Sequence, residues 1–427
     1  MTSRDSPAKE DRLLKVFCGI DWAERHHDVA LVDAEGKLVA KRRITESVDG
    51  FAELTAMLAE AGDSAESPIP VAIETPRGLL VAALRATGRP IYAINPQQVA
   101  AYRTRHSVSR KKSDQADAKT LANILRTDAH EHRTLPADTA LARSIAVLAR
   151  AAQDATWRRT KASNELRSLL REYYPGFLEA FAGGTTAGLA TAEARAVLAI
   201  APTPAAAMKL TKTRIAAALR RAGRQRGIDQ KAVELQHILR LPRLRHDPLV
   251  EEAMGAQALR LLATLDVECG SVEQLGQAAA EAFRQHPDYA VITSFPGLGE
   301  LTGARVFAEI GDDRARFADA RALKAFAGSS PVTKASGNSE SVTFRRVKND
   351  RLAAVGWIWA FVASTKAPGG AAHYQRRRAR GDRHAAALRH LFNRLLGQLF
   401  HCLHTGQPYN EAMAFPNPAD HPEPAAA

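Results

Sequence analysis

Cysteine is nearly absent: Cys18, Cys269 and Cys402 are the only three in 427 residues, far apart in the chain. That number and spacing exclude a disulfide framework and a cysteine-based zinc site, and suit a reducing cytoplasm. Long apolar runs are missing too. The longest uncharged one, LAAVGWIWAFVAS at 352–364, is shorter than the roughly 20 residues a bilayer span needs. It predicts a buried helix, and no membrane partner is expected. The first fifteen residues, MTSRDSPAKEDRLLK, have no apolar centre, so no secretory signal is expected. Acid is also in short supply, with 46 Asp and Glu against 59 Lys and Arg, a net charge of +13. Hydrophobic content of 45% and charged content of 25% are those of an ordinary globular chain. The cationic surplus favours a polyanion through counterion release, nucleic acid foremost, although a generally soluble basic surface has the same count.

Hydrophobic patterning divides the chain. KVFCGIDWA, HDVALVDA and LVAKRRIT predict three strands of a β-meander, with DAEGK supplying turn residues. A helix is expected over 49–62, a strand at IPVAIETP, a helix at GLLVAALRATG, a strand at RPIYAINP and a helix at SDQADAKTLANILRT. Three strands followed by alternating helix and strand is the order of a mixed sheet covered by helices. From about 135 to 290 the pattern is helical. ALARSIAVLARAAQDATWRRTKASNELRSLLREYY predicts one extended helix or a helical hairpin, 186–245 several short helices, and 250–286 a second long helix able to pair with the first. A compact domain is expected from VITSFPGLGELTGARVFAEIG onward, and the Pro- and Ala-rich last residues read as a disordered tail. The expected boundaries are a flexible 1–14, then 15–130, 131–288 and 289–412, and a tail from 413 to 427.

Four carboxylates stand out. Asp21 ends the apolar run VFCGID, and Glu74 ends VAIETP before a proline. Burying either is costly unless it is paired or metal-bound, and a solvated strand end is the plain alternative. Asp114 and Asp117 share a helix face at (i, i+3) spacing beside YRTRHSVSRKK. On local evidence alone, helix capping and the helix dipole explain that pair better than a metal does. Taken together, four hard-oxygen donors beside a basic run suit Mg²⁺ shared with phosphate oxygens.

GIDWAERHHDVALVDAEGKLV, VAIETPRG, INPQQVAAYR and SDQADAKTLANIL closely resemble the RuvC-like domain of the DEDD transposases of the IS-one-ten insertion-sequence family. The resemblance places that family's acidic tetrad on Asp21, Glu74, Asp114 and Asp117. It implies one or two Mg²⁺ ions there, and backbone contacts from Arg103, Arg105, Arg110, Lys111 and Lys112. Its implied architecture is α/β plus all-α: an RNase H-like mixed sheet, a central long-helix coiled coil, and a mostly helical C-terminal domain.

In that last domain, Gly297-x-Gly299 between helical segments suggests a helix-hairpin-helix offering backbone N–H groups to a phosphate; structural packing is the alternative. Composition cannot choose among Ser329, Ser330, Ser336, Ser339 and Ser341. The resemblance can, because family members carry Gly-x-x-Pro and then Ser-Gly before a basic stretch. Here these are GSSP and Ser336-Gly337, so the nucleophilic serine falls on Ser336. The basic stretch FRRVKNDRLA departs from the family's usual lysine-arginine-glycine-asparagine, and offers Arg345, Arg346 and Lys348. Arg376, Arg377, Arg378, Arg380 and Arg383 form the densest basic cluster, either a solvated helix face or a phosphate-binding one. The resemblance implies a recombinase that acts on donor and target DNA through a 5′-phosphoserine link and works as a dimer or tetramer. An element-encoded bridge RNA would guide it, and it would act at the bacterial nucleoid. A RuvC-like nuclease using water, and a nucleic-acid scaffold whose acids only cap and pair, are the other readings.

Overall fold

The computed structural model describes residues 15–106, 114–181, 187–337 and 339–416, with backbone alone at 114, 115 and 187. Arg110, Lys111, Lys112, the N-terminal 1–14 and the tail beyond 416 lie outside the described residues. The chain divides into two compact units, Met1–Pro136 and Ala137–Ala427.

In the first unit, β1 (Phe17–Trp22), β2 (His26–Val32) and β3 (Leu38–Thr45) form the expected meander. α1 (Val48–Glu60), β4 (Val71–Ile73), α2 (Leu79–Ala86) and β5 (Ile91–Ala93) follow, then α3 (Pro96–His106) and α4 (Asp114–Asp128). The helix α3 lies on the segment PQQVAAYRTRH, for which the sequence offered a basic cluster but no helix; only Val99 of it is buried. The sheet order is β3-β2-β1-β4-β5. β1, β2 and β3 are antiparallel neighbours, while β4 runs parallel to β1 and β5 parallel to β4. Strand residues alternate between two cores, as a period of two requires. Cys18, Ile20, Val71 and Ile73 pack with Leu54 and Leu58 of α1 and Leu80 and Leu84 of α2. On the other face, Phe17 and Ala72 pack with Val99 of α3 and Leu121 and Leu125 of α4.

Gly19 sets the distance between α4 and the sheet. A Cβ at this position would lie 2.0 Å from the Ala118 carbonyl oxygen and 2.4 Å from the Ala122 nitrogen. Both are helix backbone atoms, which have no rotamer to change. Gly19→Ala is therefore expected to destabilise the protein by about 3 kcal/mol, at the upper end of overpacking. Denaturant unfolding measures this, and an unchanged midpoint would mean that α4 does not rest on β1.

The second unit is built on α5 (Ala140–Tyr173) and α11 (Pro248–Arg284). α5 is a single helix of 34 residues, about 51 Å long at 1.5 Å per residue. The two run antiparallel, with a core at each end. Ala142, Ile145 and Ala149 at the start of α5 meet Ala279 and Phe283 at the end of α11. Farther along, Leu166 and Leu170 share a second core with Ala258, Leu262 and Leu265.

That second core is closed by short helices: α6 (Pro175–Phe181), α7 (Ala192–Ile200), α8 (Pro204–Met208), α9 (Lys212–Arg221) and α10 (Ile228–Arg240). Thr191, Thr203 and Thr211 cap α7, α8 and α9 through their side-chain oxygens, which is why an alanine-rich segment breaks into pieces.

The first core is completed by α12 (Tyr289–Thr293), α13 (Glu300–Ile310) and α14 (Ala320–Phe326). After the strands β6 (Val332–Ser336) and β7 (Ser339–Thr343), it continues with α15 (Asp350–Lys366), α16 (Pro368–Ala379), α17 (His384–Thr405) and α18 (Glu411–Ala414). The apolar run at 352–364 is the helix α15, as expected, but only one side of it is buried. Leu352, Val355, Trp359, Ala360 and Ala363 are inside, whereas Trp357, Ile358 and Phe361 keep nearly half their surface exposed.

Candidate active site

The strand register places two of the acids side by side. Ile20 and Ile73 form the last parallel pair of β1 and β4, so Asp21 and Glu74 are the next residues on adjacent strands. Strand alternation puts both on the face carrying Gly19 and Ala72, the face that α4 covers. On α4, Asp117 belongs to the stripe of Ala118, Leu121 and Leu125, so its carboxylate enters at the same end of the sheet and is 4% exposed. Asp114 opens α4 one turn earlier; its side chain lies outside the described atoms.

Asp117 Oδ1 accepts a short hydrogen bond from Arg103 Nη2. Arg103 thus has a partner within the fold. The sequence put it among residues facing a nucleic-acid backbone; in the fold it is ion-paired with Asp117, while Arg105 remains exposed. Arg103 Nε is buried with no hydrogen-bond partner among the described residues, and Nη2 is the atom that bonds Asp117.

Sequence reasoning missed a further carboxylate. Asp28 faces Asp21 across β1 and β2, and Arg43 faces Asp28 across β2 and β3. Asp28 is buried, and Arg43 grips it bidentately, with Nε at 3.1 Å and Nη2 at 2.7 Å. A like-charge neighbour beside Asp21 is thereby neutralised, as directly opposed acids require. The signal was present in HHDVALV, where an acid interrupts an otherwise apolar alternation. His27, beside it, is fully buried, and burial pushes its pKa down. It is therefore a neutral imidazole, stacked near Trp22.

Among the described residues, no three His, Cys, Asp or Glu side chains converge closely enough to hold a metal ion. The donor set nonetheless suits a hard divalent cation, being carboxylate throughout, and the buried Asp117 already takes a cationic partner in Arg103.

Ser336 lies in the second unit, in a place sequence reasoning left as loop. It ends β6 and pairs with Ser339 of β7, so a two-residue turn closes the hairpin. Gly337 occupies that turn at φ +56°, as tight hairpin turns demand. Both strands are largely exposed, and Ser336 is open to solvent. The neighbouring serines differ. Ser329 is buried and donates to the Lys324 carbonyl at 3.2 Å, and both Ser329 and Ser330 accept from Asn393.

The two glycines of the suspected phosphate turn also separate. A Cβ at Gly297 would come within 3.1 Å of the Trp359 carbonyl oxygen, so this residue is needed for close approach to α15. Gly299 opens onto free space at the start of α13. Glu300, the first residue of that helix, is ion-paired with Arg284, so the helix start already carries a carboxylate.

In the C-terminal cluster, Arg376, Arg378, Arg380 and Arg383 are exposed. Arg377 is half-buried, bonded to Asp382 and sharing a 2.8 Å hydrogen bond with His390. Its charge is used within the fold, whereas Arg376 and Arg380 make no ion pair among the described residues.

Two segments match family models of insertion-sequence enzymes. Residues 18–175 match the DEDD transposase model of IS110, and residues 289–375 match the transposase model of the IS116/IS110/IS902 family. The mini-circle putative transposase for IS117 of Streptomyces coelicolor is 57% identical over 402 residues, covering 94% of this chain and 97% of that protein. The chain belongs to the IS110 family of transposases. An uncharacterized protein of insertion element IS900 from Mycobacterium paratuberculosis is 27% identical over 408 residues, 93% of this chain and 98% of that one. The first matched segment of this IS110-family transposase spans Asp21, Glu74, Asp114 and Asp117; the second spans Gly297, Gly299, Ser336, Arg345, Arg346 and Lys348. Its substrate is accordingly DNA, which it cuts and rejoins. No described helix is long and apolar enough to cross a membrane.

Proposed function

We propose that this transposase exchanges DNA strands through a covalent serine link. The supporting observation is Ser336 itself, exposed at the tip of a hairpin beside a glycine turn, with the exposed Ser339 opposite it on the other strand. In the first step Ser336 Oγ bonds to a DNA phosphorus and the P–O3′ bond breaks. The serine proton is lost to solvent, and the departing 3′ oxygen takes one up. The product is a 5′-phosphoserine and a free 3′-hydroxyl. In the second step a 3′-hydroxyl of another strand attacks the same phosphorus, and Ser336 leaves with its oxygen. One phosphodiester is lost and one regained, so no nucleotide cofactor is consumed.

Asp21, Glu74, Asp114 and Asp117 would hold one or two Mg²⁺ ions, whose chemistry is to stabilise charge on the phosphoryl group and the leaving oxygen. Arg103 balances Asp117 in the protein alone. Arg105, Arg110, Lys111, Lys112, Arg345, Arg346 and Lys348 would grip the backbone near the two sites, and Gly299 would offer it main-chain N–H groups. A surface that binds backbone suits an enzyme whose sequence choice is delegated to a bridge RNA pairing with donor and target DNA. Exposed Val147 and Trp157 on α5, and Leu259 and Val267 on α11, support a coiled-coil contact between copies in a dimer or tetramer.

One observation favours a second reading, hydrolysis by water as in a junction nuclease: the acids and Ser336 belong to different compact units. A cellular excision assay with the native flanking DNA separates the two. Transesterification yields resealed donor and protein covalently attached to DNA; hydrolysis yields cut ends and no attached protein. A binding measurement checks the surface. Replacing Arg376, Arg378 and Arg380 by glutamine is expected to lower the slope of log affinity against log salt by about 2–3, at roughly 0.9 for each phosphate no longer neutralised. An unchanged slope would remove this cluster from the interface.

A further inference from the structure

Beside the root of the Ser336 hairpin is a cavity of about 210 Å³. It is too small for a typical ligand site of 300 Å³ or more, and of a size for one flat ring system. Its walls combine two kinds of side chain. Phe344 and Trp357 bring half-exposed aromatic side chains, Phe344 with the Arg346 guanidinium 5.6 Å from its ring centroid, and Arg345, Lys348 and Arg389 bring positive charge. No acid lines it.

The chemistry of the walls is specific. Arg345 Nε is buried with no hydrogen-bond partner among the described residues, a donor awaiting an oxygen acceptor. Lys348 is held over the cavity by Gly328, which sits at φ +73°; a Cβ there would come within 2.2 Å of the lysine Cδ. This gives the glycine of the GSSP segment a reason: the lysine stem occupies the space a side chain would need. Among the described residues Lys348 Nζ pairs with the exposed Asp350, at 3.0 Å, so its charge is not buried in a pair. Trp357 is braced by His384 in a T-shaped pair, with ring centroids 5.6 Å apart, and keeps nearly half its surface exposed.

We propose that this cavity takes the base of an unpaired nucleotide, with its phosphate held by Arg345, Lys348 and Arg389. An aromatic face paired with cations is how proteins hold single-stranded nucleic acid. Enzymes that work on a strand likewise draw bases out of the stack into such pockets. The occupant is the DNA strand that Ser336 attacks. Phe344 and Arg345 directly follow Thr343, the last residue of β7, and β7 pairs with the strand that ends at Ser336. From Thr343 to Ser339 is four residue steps along the strand, about 13 Å, or roughly four nucleotide steps at 3.4 Å. A base held here would fix the position of the strand relative to the hydroxyl that attacks it.

The inference rests on the proposed serine chemistry, and its test is independent of turnover. The full-length protein is titrated against a single-stranded DNA oligonucleotide carrying one 2-aminopurine, and against the same sequence as a blunt duplex. Trp357→Ala is expected to weaken single-strand binding about tenfold, the loss of one stacked base, and to abolish the quenching of 2-aminopurine. Duplex affinity should stay within about twofold, and Trp357→Phe should restore most of the loss. Arg389→Ala, on a different helix, should weaken the single strand several-fold and guards against a folding defect in the tryptophan variant. Equal effects on both probes, or none on either, would overturn the pocket. So would a loss confined to a single-stranded RNA of the same sequence, because the occupant would then be RNA. Failure of the serine chemistry would appear instead as cleavage without an adduct, leaving the binding ratio untouched.

Discussion

Ser336→Ala is expected to eliminate excision and the protein–DNA adduct together. The substitution removes one oxygen from an exposed hairpin tip, where Ser336 packs against nothing that the fold needs. Stability should therefore change by less than about 0.5 kcal/mol, the usual range for a surface site. DNA binding should be unaltered. Activity should fall by at least about 10⁴, since loss of a nucleophile removes the reaction path itself. Quantitative PCR of resealed donor sites reads this range. Ser329→Ala and Ser341→Ala are the controls. The first is buried and bonded to the Lys324 carbonyl, so it should cost stability but leave the adduct in place. The second is exposed on β7, and should change neither.

Asp117→Asn is the second large effect. It keeps the side-chain volume in a buried position and removes the charge. The carboxylate has two duties, holding a divalent cation and balancing Arg103. Losing the first is expected to reduce excision by about 10³ or more, several kcal/mol of charge stabilisation at 1.36 kcal/mol per decade. The second duty predicts a secondary signature. Arg103 would be left half-buried without its acid, which costs stability and leaves a positive charge in the cluster. The double variant Asp117→Asn/Arg103→Gln should regain part of that stability while remaining inactive. If Asp117→Asn kept wild-type excision, the Asp114–Asp117 pair would be a helix cap and ion-pair partner and nothing more.

Much of this was legible in the sequence, for identifiable reasons. The three meander strands and the alternation that follows rest on strong local signals, and the structure reproduces them within a few residues. That Asp21 and Glu74 end adjacent strands on the face covered by the helix of Asp117 was also accessible, because strand parity and a helical stripe are periodic properties. What escaped was set by contacts distant in sequence. Arg103 looked like part of a basic run, yet it serves Asp117, fourteen positions on. Asp28 looked like an ordinary strand residue, and only its pairing with Asp21 and Arg43 shows why it is charged. Gly297 looked like a phosphate turn, and α15, some sixty residues later, is what crowds it. The Ser336 hairpin escaped for a different reason. Its strands are exposed on both faces, so no alternation of apolar and polar residues marks them.

The central claim is a covalent bond between Ser336 and DNA. The direct measurement is mass spectrometry of the wild-type adduct, trapped by denaturation during excision and digested with protease and nuclease. The account predicts a nucleotide attached through its 5′ phosphate to the peptide containing Ser336, and no such peptide from Ser336→Ala. Resealed donor DNA with an unmodified Ser336 peptide, or a nucleotide on any other residue, would contradict it.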